Sequence, residues 1–340
     1  MPTVFYPPTI PWDRLRQRPH QILRHLAKIG YTCVYHDPAT VGRRTPKKEV
    51  ESGLFVLSRD ASPLAVPRDV PVILWFTLPD HHMFAGGIYA EDFVVFDLCD
   101  EPEEEFASWK KGLEGAFSVA SMVFCASYLL YEKYRERHPR VYYLPNAADW
   151  ETFKTTGPIP DDFPKRSGPV AGYHGVLATW IDWNLVYRVS RKLPHWNFVF
   201  VGPVLGLSKQ DLPYSPNIFY LGEKNYDDLP RYVRRFDVGI IPFKVSAMTR
   251  YSNPIKMYEY LVCGKPVVST DIHEVAICPF ARVARNYQEF SFVLEDVLRE
   301  SAEKPGWAKK REDWARKNSW HERALRVDRI IREAIEKGVG

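Results

Sequence analysis

Short apolar runs alternate with longer amphipathic stretches in the first half of the chain. Each run is only a few residues long and almost free of charge, which is typical of a parallel strand whose two faces are covered by helices. The predicted strands are 3–6, 32–36, 54–57, 72–76, 93–98, 122–126 and 141–144, and helices are predicted at 18–29, 103–120 and 128–137. This alternation of strand and helix predicts a parallel α/β domain.

A second series of the same kind follows a stretch rich in proline and glycine. The segment from Trp150 to Gly168 contains Gly157-Pro158-Ile159-Pro160, which favours extended and turn conformations and is interpreted as a linker. Beyond it, strands are predicted at 170–173, 197–201, 218–221, 238–242, 266–269 and 280–284, and helices at 182–192, 227–236 and 254–262. The pattern therefore predicts two doubly wound α/β domains, 1–152 and 169–318, joined by a linker at 153–168.

The last part of the chain has helical periodicity. Its apolar positions fall on one face of a helix, with charged residues elsewhere, and they are Trp320, Ala324, Val327, Ile331 and Ile335. A separate closing helix is predicted over 319–340.

Composition agrees with a large globular protein and excludes several classes. Of the 340 residues 45% are hydrophobic, enough for two cores, and the 46 basic and 42 acidic residues nearly balance. No apolar run reaches the ~18 residues of a membrane span, and no charged leader precedes the first apolar run. The five cysteines lack metal-ligand spacing, and their odd number argues against a disulfide framework, so a cytoplasmic location is expected. No motif predicts nucleic-acid binding.

Basic residues cluster in two places, and two interpretations of them stay open. The clusters are Arg14, Arg16, Arg18, Arg24 and Lys28 near the start, and Arg231, Arg234 and Arg235 later. Such clusters are often a solvated helix face. They would also suit anionic lipid, which would mean peripheral contact with the inner membrane face, or an acceptor that carries a diphosphate.

The segment 252–270 has the strongest chemical signal in the chain. Asn253-Pro254 predicts a helix start, Gly264 predicts its end, and an apolar strand follows. Free N–H groups and the helix dipole favour a phosphate at the helix start, near Ser252 and Lys256. Glu259, one turn further on, would then accept hydrogen bonds from sugar hydroxyls. The alternative is a structural role for Glu259 in a core hydrogen bond.

This segment resembles the nucleotide-sugar site of family 4 glycosyltransferases with the GT-B fold. Glu259 followed by Gly264-Lys265-Pro266-Val267-Val268 matches the family's run, whose glutamate holds the ribose of the donor. A second family glutamate, eight positions earlier, is replaced here by Tyr251. The family's arginine and lysine after the first strand of the second domain are also missing from 173–182. Positive charge must therefore come from elsewhere, and Lys256 and Arg250 flank the proposed phosphate loop.

Motifs in the first domain extend the resemblance to most of the chain. The segment 12–22, with Trp12 and Arg18, resembles the opening of a branch that includes teichuronic-acid and other cell-surface polysaccharide transferases, and implies an acceptor-side role for those two residues. The segments 96–101, 144–149 and 237–243 also resemble motifs of the family. The resemblance implies a GT-B architecture in which the final helix returns to the first domain.

Ligands of parallel α/β sheets bind beyond the carboxyl ends of the strands. The loops expected there hold His174 and Gly175, where glycine would admit the phosphates closely, and Gly222. Asp97 takes the position of a family histidine near the transferred sugar, so Asp97 and Asp100 are the candidate catalytic residues. For both aspartates the alternative is a cap on the helix that follows. The chain shows no carboxylate pair for a metal beside the phosphate loop, so no metal and no cofactor are expected.

The resulting expectation is a retaining glycosyltransferase of the hexosyltransferase type. It would move a sugar from a nucleotide-diphosphate donor, with a UDP-sugar slightly favoured, to a hydroxyl of a glycan or lipid-linked acceptor. Two alternatives stay open. One is a GT-B sugar-nucleotide epimerase, and the other is a catalytically silent sugar-nucleotide-binding module, suggested by Tyr251.

Overall fold

The computed structural model describes residues 1–39, 47–66 and 68–338. It divides into two compact units, and each contains one sheet. The first unit is Met1–Asn146 together with Trp320–Gly340, and the second is Ala147–Ser319.

The first unit is built on an eight-stranded sheet with helices along the chain between the strands. The strands are β1 (Thr3–Tyr6), β2 (Thr32–His36), β3 (Lys47–Glu51), β4 (Leu54–Leu57), β5 (Val72–Phe76), β6 (Phe93–Leu98), β7 (Met122–Cys125) and β8 (Val141–Tyr143), and the helices are α1 (Arg18–Lys28), α2 (Lys110–Val119) and α3 (Tyr128–Tyr134). Their order in the sheet is β3-β4-β2-β1-β5-β6-β7-β8, and all neighbours are parallel except β3 and β4. The order reverses direction between β1 and β5, so the carboxyl ends of these two strands mark the crevice where such sheets bind ligands.

The strand β3 was not predicted, because its sequence does not read as a buried strand. Lys47-Lys48-Glu49-Val50-Glu51 is mostly charged, and its pairing with β4 shifts register between Glu49 and Glu51. Charged residues and a bulge are common on edge strands, where they discourage pairing with another chain.

The second unit is built on a six-stranded parallel sheet. Its strands are β9 (Val170–His174), β10 (Asn197–Val201), β11 (Ile218–Tyr220), β12 (Val238–Ile241), β13 (Val267–Thr270) and β14 (Ala281–Ala284), and its helices are α4 (Trp150–Phe153), α5 (Trp183–Lys192), α6 (Leu229–Val233), α7 (Ala247–Arg250), α8 (Ile255–Val262), α9 (His273–Ala276), α10 (Tyr287–Glu303) and α11 (Gly306–Lys317). Their order is β11-β10-β9-β12-β13-β14. The order reverses between β9 and β12, which is the doubly wound arrangement expected from the sequence.

The segment predicted as a linker packs instead on the second unit. Phe153 and Phe163 are buried in the core of that unit. The Arg234 guanidinium donates to the carbonyl oxygens of Phe153, Lys154 and Thr155. The chain passes between the units at Asn146–Ala147 rather than at 153–168, because aromatic side chains anchor this proline-rich stretch.

The last helix, α12 (Trp320–Glu336), belongs to the first unit, as the resemblance implied. Trp320, Ala324, Val327 and Ile331 are buried on one face. The hydroxyl of Tyr31 donates to Asp328 Oδ1 over 2.8 Å, and the Arg323 guanidinium donates to the carbonyl oxygen of Pro145. Burial of one apolar face therefore fixes α12 on the unit that begins the chain.

Candidate donor-binding site

The helix α8 carries the strongest sequence signal, and residues next to each end determine where it begins and ends. Pro254 is the residue before its first turn, with φ −66° and ψ 112°, so the helix begins one residue later than predicted. At the other end the Gly264 N–H donates to Leu261 and the Lys265 N–H donates to Tyr260. This pair of bonds ends the helix in a Schellman motif, which requires the left-handed φ of +71° that Gly264 adopts.

Tyr260 anchors α8 to the point where the sheet order reverses. Its ring packs on Gly239 of β12, where a Cβ atom would come within 2.3 Å of the ring. Its hydroxyl accepts from the His174 N–H over 3.2 Å and lies 3.3 Å from the carbonyl oxygen of Ile240. The paired register of β9 and β12 ends at Gly172 and Gly239, so Tyr260 bridges the strands where they separate. The helix is thereby held at the carboxyl-end crevice of the sheet.

Glu259 lies in this crevice and is 3% exposed. Its Oε1 accepts a hydrogen bond from the Tyr226 hydroxyl over 2.8 Å, and its Oε2 lies 3.2 Å from His174 Nε2. Burial, with a smaller contribution from Lys256, lowers the pKa of His174 to about 3. The imidazole is therefore neutral near pH 7, and Glu259 is not neutralised by a charged histidine.

His174 is the last residue of β9, at the carboxyl end of the strand as expected, and aromatic rings surround it. Its ring packs against Phe153 and Tyr260, with centroid distances of 5.8 and 5.2 Å, and it faces Glu259. These contacts make His174 a neighbour of the Glu259 carboxylate.

Lys256 lies one helical turn before Glu259. Its Nζ lies 5.2 Å from the ring centroid of Tyr173 and 4.9 Å from that of Phe243, both within cation–π range. Within the described ranges, no carboxylate oxygen comes within 4.0 Å of this ammonium. Burial lowers the pKa of Lys256 to about 8, against the attraction of Glu259. A partly desolvated cation between two aromatic rings is suited to binding an anion.

Three loops at the carboxyl ends of β9, β10 and β11 are joined backbone to backbone beside Lys256. The Gly175 N–H donates to Val201, and the Gly202 N–H donates to Gly222. A Cβ on Gly202 would come within 2.0 Å of the Gly175 carbonyl oxygen, and one on Gly175 would lie 3.4 Å from Lys256 Cε. Gly175 and Gly222 were predicted here, but Gly202 was not. All three have positive φ, so the close approach of these loops depends on glycine.

The predicted residues just before α8 are tied into the protein. The Asn253 Nδ2 donates to Glu274 Oε2 over 2.9 Å, and the Ser252 hydroxyl donates to the carbonyl oxygen of Thr249 over 2.7 Å. Arg250 ends α7 and is exposed. Asn253 and Ser252 therefore shape the loop, while Lys256, unlike the exposed Arg250, is half-buried next to Gly175.

In the first unit, Asp97 and Arg18 form a buried ion pair, which corrects two predictions. Asp97 is 0% exposed and accepts from Arg18 Nε and Nη2 over 2.8 to 3.1 Å, and from Trp75 Nε1 over 3.2 Å. Arg18 also donates to Asn146 Oδ1 and to the carbonyl oxygen of Leu144. The polar atoms of both side chains are hydrogen-bonded within the protein. Asp97 is therefore not placed to act as a catalyst, and Arg18 is not placed to contact an acceptor.

Asp100 remains a candidate catalytic residue. It is half-buried, and burial raises the pKa of its carboxyl group to about 6, against the attraction of Arg18. The predicted helix cap is not formed: the 3₁₀ turn Glu104–Trp109 begins after Glu103 without a side-chain cap. Neighbouring Glu101 is occupied by Lys133 and Tyr134.

Trp12 is half-buried at the carboxyl end of the first sheet. Its backbone N–H donates to Asp37 Oδ2 over 2.8 Å, and its ring lies 4.9 and 5.1 Å from the ring centroids of His20 and Tyr35. The basic cluster predicted around it is not one surface, because Arg18 is buried and Arg24 pairs with Glu51.

No group of three metal-ligating side chains occurs within the ranges that the structure describes. His82 Nδ1 lies 2.9 Å from the carbonyl oxygen of Pro79, and His81 is buried, with a pKa lowered to about 4 by burial.

Among the described helices, none is both long and apolar enough to cross a membrane.

Sequence reasoning missed Tyr226 and Tyr260, although both contact the candidate site. Tyr226 reaches Glu259 across 33 positions of sequence, and its ring packs on Phe153 at 5.7 Å. A tyrosine four residues after Gly222 is a weak signal, because only folding brings it to the carboxylate.

Part of this chain is similar in sequence to known glycosyltransferases. Residues 175–292 match the family described as glycosyl transferases group 1. A Bacillus subtilis (strain 168) protein named as a teichuronic acid biosynthesis glycosyltransferase, TuaH, is 25% identical over 227 residues, which are 58% of this chain. The match spans 55% of that relative's length.

Solved structures have a similar fold over nearly the whole length of this chain. Sucrose-phosphate synthase from Thermosynechococcus elongatus superimposes with a TM-score of 0.73 at 12% identity, covering 99% of this chain and 100% of its own. Anabaena HepE, solved in complex with UDP and glucose, gives 0.71 at 14% identity, with coverage of 97% and 99%. The chain thus has the GT-B fold, with two parallel-sheet α/β domains. The match to the glycosyl transferases group 1 family lies within its second unit.

The Arg18–Asp97 pair leads to a stability prediction. Asp97→Ala should lower the free energy of unfolding by about 3–5 kcal/mol, because it leaves a buried guanidinium unpaired. Glu132→Ala, which breaks an exposed pair with Arg135 in the same unit, should change it by less than about 1 kcal/mol. Urea unfolding followed by tryptophan fluorescence measures both. A stable but inactive Asp97→Ala protein would restore Asp97 as a catalytic candidate.

Proposed function

We propose that this protein is a retaining glycosyltransferase that moves a hexose from a nucleotide-diphosphate donor to a hydroxyl acceptor. The observation that carries the proposal is Lys256. Its ammonium is partly desolvated, rests on Tyr173 and Phe243, and lies beside Gly175 and Glu259 at the reversal point of the sheet. A cation in that position, without a carboxylate partner in the described chain, suits a diphosphate.

The donor would lie along α8. Its diphosphate would face Lys256 and the backbone near Gly175, and its ribose hydroxyls would donate to Glu259. Since Tyr226 holds Oε1 and the carboxylate is almost fully buried, the ribose must displace the Tyr226 hydroxyl from Glu259. The HepE structure contains UDP and glucose, which supports a UDP-sugar as donor.

The leaving diphosphate would be stabilised by fixed charge rather than by a metal. Lys256 and the free N–H groups at the start of α8 supply positive potential that is already in place before the reaction. In the first unit, the pKa of Asp100, about 6, suits a group that accepts a proton from an acceptor hydroxyl near neutral pH.

The acceptor is proposed to be a glycan or a lipid-linked glycan in cell-surface polysaccharide synthesis. The similarity to TuaH, named for teichuronic acid biosynthesis, supports this choice. We further propose a cytoplasmic protein with peripheral contact to the inner membrane face.

One observation favours a second candidate, a sugar-nucleotide-binding module without catalysis. Tyr251 stands where family 4 enzymes carry a glutamate that contacts the transferred sugar, and it directly follows the last residue of α7. Release of nucleotide diphosphate that depends on an acceptor would support the transferase, and donor binding without turnover would support the module. An epimerase would release no nucleotide diphosphate and would invert a stereocentre of the bound sugar.

Glu259→Gln should weaken donor binding by about 1–3 kcal/mol, the cost of losing hydrogen bonds to a charged group. Tyr226→Phe should leave binding equal or tighter, because it removes the hydroxyl that competes for Oε1. Asp162→Asn serves as the control, because Asp162 also accepts from a tyrosine hydroxyl in the second unit. Calorimetry with UDP and UDP-glucose measures all three. A folded Glu259→Gln protein with unchanged affinity would leave Glu259 a structural residue.

Lys256→Ala should weaken UDP by about tenfold and uridine little, because it removes one charge facing the diphosphate. The affinity of the native protein for UDP should fall as pH rises above about 8, where Lys256 loses its proton while the phosphate is already ionised. Lys256→Arg should flatten this decline, since arginine stays charged.

The control for Lys256 is Lys265→Ala, at the opposite end of α8. Lys265 is also half-buried, and burial likewise lowers its pKa. It should leave UDP binding unchanged. Equal losses for UDP and uridine in Lys256→Ala would show that Lys256 does not face the phosphates.

Sugar transfer should proceed in excess EDTA at nearly the rate seen with Mg²⁺, because the leaving group is stabilised by Lys256 and the start of α8. The measurement is release of UDP with acceptor present, with and without EDTA. Loss of activity that Mg²⁺ or Mn²⁺ restores would refute the metal-independent mechanism and make Asp100 and Glu101 candidate ligands.

A further inference from the structure

The outer face of helix α5, in the second unit, is basic. Its exposed residues are Asn184, Tyr187, Arg188, Arg191 and Lys192, and none of the residues of this helix is acidic. Residues three or four apart in a helix lie on the same side. The exposed arginines are three apart, so they and the neighbouring lysine lie on the solvent side of α5.

A second basic segment lies beside the end of α5. Arg166 Nη2 donates to the carbonyl oxygen of Pro194, just after the helix, over 2.6 Å. Asn197 Nδ2 lies 3.2 Å from the carbonyl oxygen of Ser167. These bonds hold the segment at the end of the helix. Lys165 and Arg166 are both exposed, so they extend the basic face of α5.

The cations on this face are not neutralised by neighbouring carboxylates. Within the parts of the chain that the structure describes, no carboxylate lies within ion-pair distance of Arg188, Arg191 or Lys192. Glu295 of α10 reaches the end of α5, but it pairs there with His195 over 3.4 Å. The positive charge of the helix is therefore available to an external anion.

The fold accounts for only part of this charge. The helix dipole favours Arg191 and Lys192, which stand in the last turn of α5. Arg188 lies a turn earlier, and its guanidinium carbon is 3.7 Å from the ring centroid of Tyr287. Such stacking orients a guanidinium and leaves its charge in place. The dipole does not explain Arg188 or the basic segment before β9, so their charge suits a partner outside the chain.

Two exposed tyrosines accompany the cations. Tyr187 of α5 is 42% exposed, and Tyr214 is 87% exposed. The segment after Tyr214 is fixed to α5, because Asn217 Nδ2 donates to the carbonyl oxygens of Ser190 and Leu193 over 3.1 and 3.2 Å. A tyrosine ring is apolar with a polar end, and tyrosine is enriched where proteins meet the headgroup region of a bilayer. We refer to the exposed residues of α5 together with Lys165, Arg166 and Tyr214 as the α5 surface.

The basic cluster that the sequence predicted in this unit is arranged differently. Arg231 pairs with Asp228 over 3.2 Å, and Arg234 donates to backbone carbonyl oxygens. The α5 surface was not predicted, because the fold alone brings residues 165–166 beside the end of the helix.

We propose that the α5 surface binds anionic phospholipid at the inner membrane face. The lipid phosphates would pair with the arginines, and Tyr187 and Tyr214 would lie at the level of the headgroups. Attraction of basic residues to an anionic bilayer needs no preformed cavity, which suits cations spread along an exposed helix. The proposal rests on the peripheral membrane contact proposed above, for which it names the surface.

The test measures binding of the full-length protein to vesicles of phosphatidylcholine and phosphatidylglycerol in equal parts. Arg191→Gln with Lys192→Gln should weaken this binding by about tenfold or more, because each basic residue near an anionic surface adds to the attraction. The matched control is Arg316→Gln with Lys317→Gln, which removes an exposed arginine and lysine from the last turn of α11 in the same unit. It should bind like the native protein. All four positions are exposed, so both variants are expected to fold.

Further ligands separate a lipid surface from other anions. Vesicles of phosphatidylcholine alone should bind little, and binding to the mixed vesicles should weaken as the salt concentration rises. Tyr214→Ser should weaken binding to the mixed vesicles severalfold through loss of the exposed ring. Polyuridylic acid tests a nucleic acid instead. If Arg191→Gln with Lys192→Gln loses binding to polyuridylic acid but keeps binding to the mixed vesicles, the proposal is wrong. It is also wrong if this variant and its control bind the mixed vesicles equally.

Failure of the proposed membrane contact would look different. A native protein that binds neither kind of vesicle would overturn both the peripheral contact and the α5 surface. Native binding to the mixed vesicles that Arg191→Gln with Lys192→Gln leaves unchanged would overturn the α5 surface alone. UDP binding reports on the donor site. Normal UDP binding in that variant, together with weaker vesicle binding, would support the proposal, because it shows that the second unit is still folded.

Discussion

The first unit depends on one buried ion pair, Arg18 with Asp97. The guanidinium of Arg18, at the start of α1, reaches the end of β6 through Asp97 and the turn after β8 through Leu144 and Asn146. It also lies 5.8 Å from the ring centroid of Trp320, the first residue of α12. One side chain thus connects the first helix, the sheet and the last helix. Burying two charges is costly, and the cost is offset only because every strong donor and acceptor here has a partner.

The second unit uses a neutral group at the corresponding point. Tyr260 bridges β9 and β12 by its hydroxyl and fills the space above Gly239 with its ring. Because the bridge carries no charge, the crevice is left with an electrostatic field set by Lys256 and Glu259. Arg18 and Lys256 show how the surroundings of a buried cation distinguish its role. Arg18 is saturated by oxygen acceptors and is structural, whereas Lys256 has aromatic neighbours and suits a ligand.

The sequence predicted most of the fold because the core strands are apolar runs with local boundaries. Strands such as β1, β2 and β5 were predicted to the residue, since their ends coincide with turn-forming residues. Helices α10 and α11 were not predicted, because their mixed charged and apolar sequence lacks clear signals for where a helix begins and ends. The donor site was partly predictable for the same local reason, since Lys256, Glu259 and Gly264 belong to one helix and its cap.

The rest of the site could not be read from sequence because it depends on distant partners. Asp97 pairs with Arg18 across 79 positions, and Glu259 with Tyr226 across 33. From sequence, a carboxylate at a strand end is interpreted as catalytic, because its partner in the fold is not visible. Asp97 is occupied by a guanidinium, whereas the Asp100 carboxyl, whose pKa burial raises to about 6, loses its proton only above that pH.

Burial acts in opposite directions on the two groups proposed for chemistry, and together these shifts define a working range. Burial raises the pKa of the Asp100 carboxyl to about 6 and lowers that of the Lys256 ammonium to about 8. Both are charged only between these values, because Asp100 is protonated below the range and Lys256 is deprotonated above it. The loss of hydration that makes each charge costly also strengthens its attraction to a ligand of opposite charge. The cytoplasmic location proposed here would place the protein within this range, where a base and an anion-binding cation coexist without added metal.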